Sequence, residues 1–113
     1  SPHIRRCCIY IAQHLNQDLT LDLLADHLGI SRDYLTHLFT QEVGEPLTKY
    51  IQRQRIDSAQ NMLRYTDYSI QRIADFYQFK TQSHFTRIFR EMCGMTPTEY
   101  RRKYKPDTNR VGG

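Results

Sequence analysis

The sequence predicts an all-α fold: two copies of one helical hairpin joined by a longer helix. Three observations carry this. Apolar residues recur at three- and four-residue spacing along most of the chain, no segment alternates as a convincing strand would, and residues 20–50 are repeated as residues 69–100. A chain of 113 residues with 39% hydrophobic composition has room for one modest core, or for two very small ones held together by a shared element. It has no room for a large enzyme fold.

The first helix is read from "HIRRCCIYIAQHL", which puts Ile4, Cys8, Ile11 and Leu15 on one face with Cys7 and Ala12 beside them. Buried packing is the reading given to both cysteines. In "LTLDLLADHL", Thr20 is a candidate N-cap before a short helix with Leu21, Leu24, Ala25 and Leu28 turned inward. Gly29 then lets the chain leave sharply, because it takes a positive φ without a Cβ penalty. Ser31 caps the next helix, where Leu35, Leu38 and Phe39 continue the apolar face. From Pro46 a longer helix is expected, since proline suits a first turn, and Leu47, Tyr50, Ile51, Ile56, Ala59, Met62 and Leu63 form its stripe to about Arg64. "YTDYS" interrupts the stripe as a turn.

Beyond this turn the chain repeats its first half. With an offset of 49, Thr20 matches Ser69, Leu21 Ile70, Leu24 Ile73, Ala25 Ala74, Asp26 Asp75 and Ile30 Phe79. After the second hairpin turn the offset is 50, matching Leu35 with Phe85, Thr36 with Thr86, Leu38 with Ile88, Phe39 with Phe89, Gly44 with Gly94 and Tyr50 with Tyr100. One residue has therefore been added inside that turn. Apolar, capping and glycine positions stay together over the whole repeat, which marks an internal duplication of one helical unit. The expected organisation is an N-terminal unit over 1–45, a linker helix over 46–64, a C-terminal unit over 65–106 and a disordered tail over 107–113.

Lys plus Arg exceed Asp plus Glu by 16 to 12, a balance that favours an anionic partner. Residues 1–50 carry net −2 and residues 51–113 net +6, so the second half is expected to supply more of any nonspecific attraction to nucleic acid. Three cysteines, with Cys7 and Cys8 adjacent, make neither a disulfide framework nor a metal-ligand spacing, and a reducing, cytoplasmic location is expected. His27, His37 and His84 lack cysteine or carboxylate partners at ligand spacing, so no metal and no cofactor is expected. No apolar run is long enough for a membrane span. The ends "SPH" and "NRVGG" read as cut edges of a longer protein. An enzyme is not expected either, because acids, histidines and cysteines form no spaced acid–base or nucleophile–base set.

The repeated unit has the form of a helix-turn-helix, whose second helix is anchored on one side and free on the other, and a helix fits the major groove of DNA. The free side of the first unit is expected to show Arg32, Asp33, Thr36, His37 and Thr40. That of the second shows Thr81, Gln82, Ser83, Thr86, Arg87 and Arg90. Arg87 is the strongest single candidate, since a guanidinium pairs with guanine O6 and N7, and Gln82 suits adenine N6 and N7. Arg87 also stands four residues before Glu91, at ion-pair spacing. The closing "YRRKYK" reads equally as a grip on phosphates or as a solvated helix end.

The segments "LADHLGISRDYLTHLF", "GEPLTKYIQRQRIDSAQNML", "SIQRIADFYQF" and "SHFTRIFREMCGMTPTEYRRKY" together resemble the DNA-binding domain of the AraC/XylS family of bacterial transcription regulators, over about residues 4–104. The resemblance implies about seven helices, with two recognition helices entering successive major-groove segments of double-stranded DNA. It also implies RNA polymerase as a further partner, and a separate sensory or oligomerisation domain in the full-length protein. A helix over 46–64 measures about 28 Å, of the order of the roughly 34 Å between equivalent groove segments. The base-reading positions it points to are Asp33, Thr36 and His37, then Gln82, Ser83, Thr86 and Arg87. Two departures stand out: Gln78 replaces the glycine usual in the second turn, at roughly 1 kcal/mol if the residue is left-handed, and Asp33 is a carboxylate that phosphates repel unless it accepts from cytosine N4 or pairs with Arg32. The alternative function is a helical protein–protein interaction module, which calls for an apolar free face on the second helix of each unit; the faces read here are polar and partly basic.

Overall fold

In the computed structural model, residues 1–106 are described, and they form seven helices and no strand; the tail expected over 107–113 lies outside the described residues. The chain divides into two compact units, one ending at Arg55 and the other starting at Ile56. The division falls inside a helix.

The first unit holds α1 (Pro2–Gln13), α2 (Leu21–Leu28), α3 (Arg32–Val43) and the start of α4 (Leu47–Tyr65). Its core is Ile4, Cys7 and Ile11 from α1, Leu24, Ala25 and Leu28 from α2, Leu35 and Phe39 from α3, and Leu47 and Ile51 from α4. Helix α1 ends sooner than its apolar stripe suggests, so Leu15 is half-buried beyond it, Cys7 rather than Cys8 lies at the centre, and Ala12 is exposed. Burial, then the neighbouring Cys8, push the Cys7 thiol up to about 11, which leaves it protonated and unreactive at neutral pH.

Thr20 caps α2 by accepting the Leu23 N–H at 3.1 Å, and Ser31 caps α3 by accepting that of Tyr34 at 3.1 Å. Between them Gly29 is left-handed, with φ of 71°, and the Ile30 N–H reaches back to the Ala25 carbonyl at 3.1 Å. Arg55 ties the segment after α1 to α4. Its Nε donates to the Leu15 carbonyl at 3.1 Å and its Nη2 to that of Gln17 at 2.7 Å.

The second unit repeats this plan with the rest of α4, α5 (Ile70–Phe76), α6 (Gln82–Cys93) and α7 (Pro97–Tyr104). Ile56, Ala59 and Leu63, Ile73 and Ala74, Phe85, Ile88 and Phe89, and Pro97 and Tyr100 are its buried side chains, together with Tyr77 and Phe79 from the turn. Gln78 takes the place of Gly29: its φ is 68°, and the following Phe79 N–H bonds to the Ala74 carbonyl at 2.9 Å. Since Gln78 and Phe79 still follow the offset of 49 while the caps Ser31 and Thr81 follow 50, the added residue is Lys80. The duplication thus reaches the outer helices as well. Helix α4 closes the first unit and opens the second, so two four-helix units are made from seven helices.

Candidate nucleic-acid interface

Capping fixes where each second helix begins, and burial fixes how it is rolled. In α3, Leu35 and Phe39 are buried, Leu38 is half-buried, and Arg32, Asp33, Thr36, His37 and Thr40 are all exposed. Arg32 has its Nε 3.0 Å from Asp22 Oδ1 on α2. The carboxylate paired with Arg32 is therefore Asp22 and not Asp33, which removes the neighbour pairing considered for Asp33. Both side chains of the pair stay well exposed, at 61% and 69%, so the pair is of the weak surface kind.

In α6, Phe85, Ile88 and Phe89 are buried, Thr86 is half-buried, and Gln82, Ser83, Arg87 and Arg90 are exposed, with Thr81 exposed at the cap. The Thr81 hydroxyl oxygen accepts the His84 N–H at 2.9 Å, so this residue first positions the helix. All six second-unit candidates line one open groove of about 940 Å³, which Gln71, Glu91 and Thr96 complete. Arg87 is part of its lining. Its Nη1 donates to Glu91 Oε1 at 3.3 Å and its Nη2 to His84 Nδ1 at 3.1 Å. The ion-pair spacing with Glu91 is realised, yet both side chains are 60% exposed and the pair is of the weak surface kind.

Gln71 and Thr96 were not among the sequence candidates. Gln71 matches Asp22 under the offset of 49, so the repeat itself carries the signal: both stand on the helix before a turn, facing the helix after it. Thr96 carries no such signal, because its hydroxyl caps α7 and only the fold brings it to the groove.

The terminal basic cluster splits by role. Arg101 donates from Nε to the Leu63 carbonyl at 3.0 Å and from Nη2 to that of Thr66 at 3.2 Å. Lys105 donates to the Thr66 carbonyl at 3.0 Å and pairs with Asp67. These two hold the end of α4 much as Arg55 holds the segment after α1, whereas Arg102 and Lys103 are exposed. Among the described residues no group of three His, Cys, Asp or Glu could hold a metal, and no helix is long and apolar enough to cross a membrane.

A helix-turn-helix domain model matches residues 24–103. The regulatory protein PocR of Salmonella typhimurium is 32% identical over 112 residues, which are 96% of this chain but 37% of PocR, so the chain spans little more than a third of that relative. The C-terminal domain of AraT, a response regulator from Geobacillus stearothermophilus, superposes with a TM-score of 0.89 at 33% identity, covering 96% of this chain and 90% of that one. A transcriptional regulator with an AraC-type DNA-binding domain from Chromobacterium violaceum gives a TM-score of 0.87 at 28% identity, over 91% and 92% of the two chains.

Proposed function

The chain belongs to the AraC/XylS family of helix-turn-helix DNA-binding domains, and from that premise we propose that it reads double-stranded DNA with both α3 and α6, each laid in the major groove by its exposed polar face. One observation carries the reading: the same cap, left-handed turn and buried face occur twice, and each time the side left over is rich in hydrogen-bonding groups. Arg87 reads guanine, Gln82, Ser83 and Thr86 read beside it, and Thr36 and His37 do so from α3, with Arg32 and Arg90 on phosphates. Asp33 accepts from cytosine N4 or discourages other bases. The reading assigns no catalytic step. In the whole protein a sensory or oligomerisation domain adjoins this one, RNA polymerase is a second partner, and the setting is the bacterial cytoplasm.

Selection of binding duplexes from a random pool tests the reading. Two short preferred boxes about one helical turn apart, roughly 34 Å, are the expected outcome. A pool that yields no enriched duplex at moderate salt overturns it in favour of a protein-binding module. Arg87→Ala is expected to weaken the best site by about 1 to 3 kcal/mol and to relax preference at one or two base pairs, measured as dissociation constants across single-base variants at fixed salt.

A further inference from the structure

Arg87 is gripped from both ends of its helical face, three residues before it by His84 and four residues after it by Glu91. A guanidinium has five N–H donors and no acceptor, so this contact is a hydrogen bond only when the His84 nitrogen that meets it offers a lone pair. His84 is itself held. Its backbone N–H is taken by Thr81, and its ring lies 5.9 Å from that of Phe79, which is buried and packs on Phe85 at 5.0 Å. The bracket therefore hangs from the core. In the first unit the matching residues are Tyr34, His37 and Gln41, which include neither a guanidinium nor a carboxylate.

We propose that His84 and Glu91 are the positioning residues of the base-reading arginine, and that His84 does this only while Nδ1 is unprotonated, so that protonation lowers sequence discrimination without lowering the general attraction to DNA. The inference rests on Arg87 as a base reader. Two of its five N–H groups are engaged by the bracket and three remain, enough for O6 and N7 of one guanine. Holding the long side chain in place before DNA arrives removes an ordering cost that corresponds to about threefold to tenfold in affinity for the matching base pair. A proton on Nδ1 turns the acceptor into a second cation beside the guanidinium and opens the bracket, while the added charge favours phosphate. The elements packed on α6 contribute Asp57 and Arg64 from α4, Arg72 and Asp75 from α5, Lys80 from the turn, and Glu99, Arg101, Arg102 and Lys103 from α7, with the phenols Tyr77, Tyr100 and Tyr104 around them. Carboxylates, guanidiniums, ammoniums and phenols as classes hold their state between about pH 5.5 and pH 8, which leaves imidazole as the group that changes.

The test is the ratio of dissociation constants between the preferred duplex and its variant at the base pair lost in Arg87→Ala, measured at both ends of that pH range. Wild-type discrimination is expected to fall about threefold to tenfold at the acidic end, with affinity for a random duplex unchanged or higher. His84→Asn places a carbonyl oxygen near Nδ1 and cannot be protonated there; it should keep the high-pH discrimination at both ends. His84→Leu should show the low value at both, and Glu91→Gln a partial loss without new pH dependence. A folded His84→Leu protein, checked by circular dichroism, that discriminates like wild type at pH 8 overturns the positioning role, as does a His84→Asn protein that behaves like His84→Leu. If Arg87→Ala itself keeps wild-type discrimination at every base pair, the base-reading assignment falls, a separate result from the failure of the bracket alone.

Discussion

Gly29 and Gln78 hold the same left-handed conformation in the two turns, at φ 71° and 68°, although only the first lacks a side chain. A Cβ built on Gly29 meets nothing within 4 Å, so what the turn demands is a conformation and not space. Gly29→Ala should therefore lower stability by about 1 kcal/mol in a urea melt, the bare cost of a left-handed residue. Gln78→Gly should change stability by less than about 1 kcal/mol, because relief of the same strain is offset by the freedom glycine gains in the unfolded chain. A larger loss on Gln78→Gly would show that the glutamine side chain holds the turn by its own contacts. At this scale the free and buried positions of α3 and α6 are legible in the sequence, because they recur as helical spacing requires. Pairings were not legible. That Arg32 meets Asp22 rather than Asp33, and that Arg87 meets His84 as well as Glu91, depends on side-chain direction, which spacing does not fix.

Elements begin and end where the sequence says they should, because caps are local chemistry: Thr20, Ser31, Ser69, Thr81 and Thr96 each accept a backbone N–H at the start of a helix. Two ends depart from the reading: α4 starts at Leu47 with Pro46 just outside it rather than in its first turn, and α1 stops although its apolar stripe runs on through Leu15 with no readable stop signal. Helix ends fastened from afar are equally hidden from sequence. Arg101 and Arg102 are neighbours, yet the first serves the end of α4 and the second faces solvent. Arg101→Ala should cost about 1 to 3 kcal/mol of folding stability, since it leaves the Leu63 carbonyl without its charged donor and the Thr66 carbonyl with Lys105 alone. Arg102→Ala should melt like wild type and show its effect, if it contacts DNA, only in the salt dependence of binding. At α7 the Glu99 carboxyl is held below the usual carboxylate range, chiefly by the Thr96 backbone N–H it accepts and then by the Thr96 hydroxyl. A group lowered by folding contributes fully above its unfolded value and loses that contribution as pH falls through the folded one. Thermal melts should therefore drop in acid, and Glu99→Gln, which keeps an acceptor but does not titrate, should show a shallower drop.

For the whole molecule, the uneven charge, net −2 over residues 1–50 and net +6 over residues 51–113, gives the second half the greater share of salt-sensitive attraction to an anionic partner. The repeat made the two-unit plan visible in the sequence, but not that the boundary would fall within a helix, since nothing in a continuous apolar stripe marks where allegiance changes from one core to the other. That boundary has a dynamic consequence. Amides early in α4 exchange with solvent when the first core opens, and amides late in α4 when the second does, so protection along one unbroken helix should step near Arg55 and Ile56. Amide hydrogen exchange read residue by residue would show it, and uniform protection from Leu47 to Tyr65 would mean that the cores open together. When one core opens, the melted backbone must halt in mid-helix, with a raw end exposed and carbonyls unpaired, or run on into the neighbour. The shared helix is thus a fuse between two cores, and the difficulty of stopping there sets how far a local failure spreads.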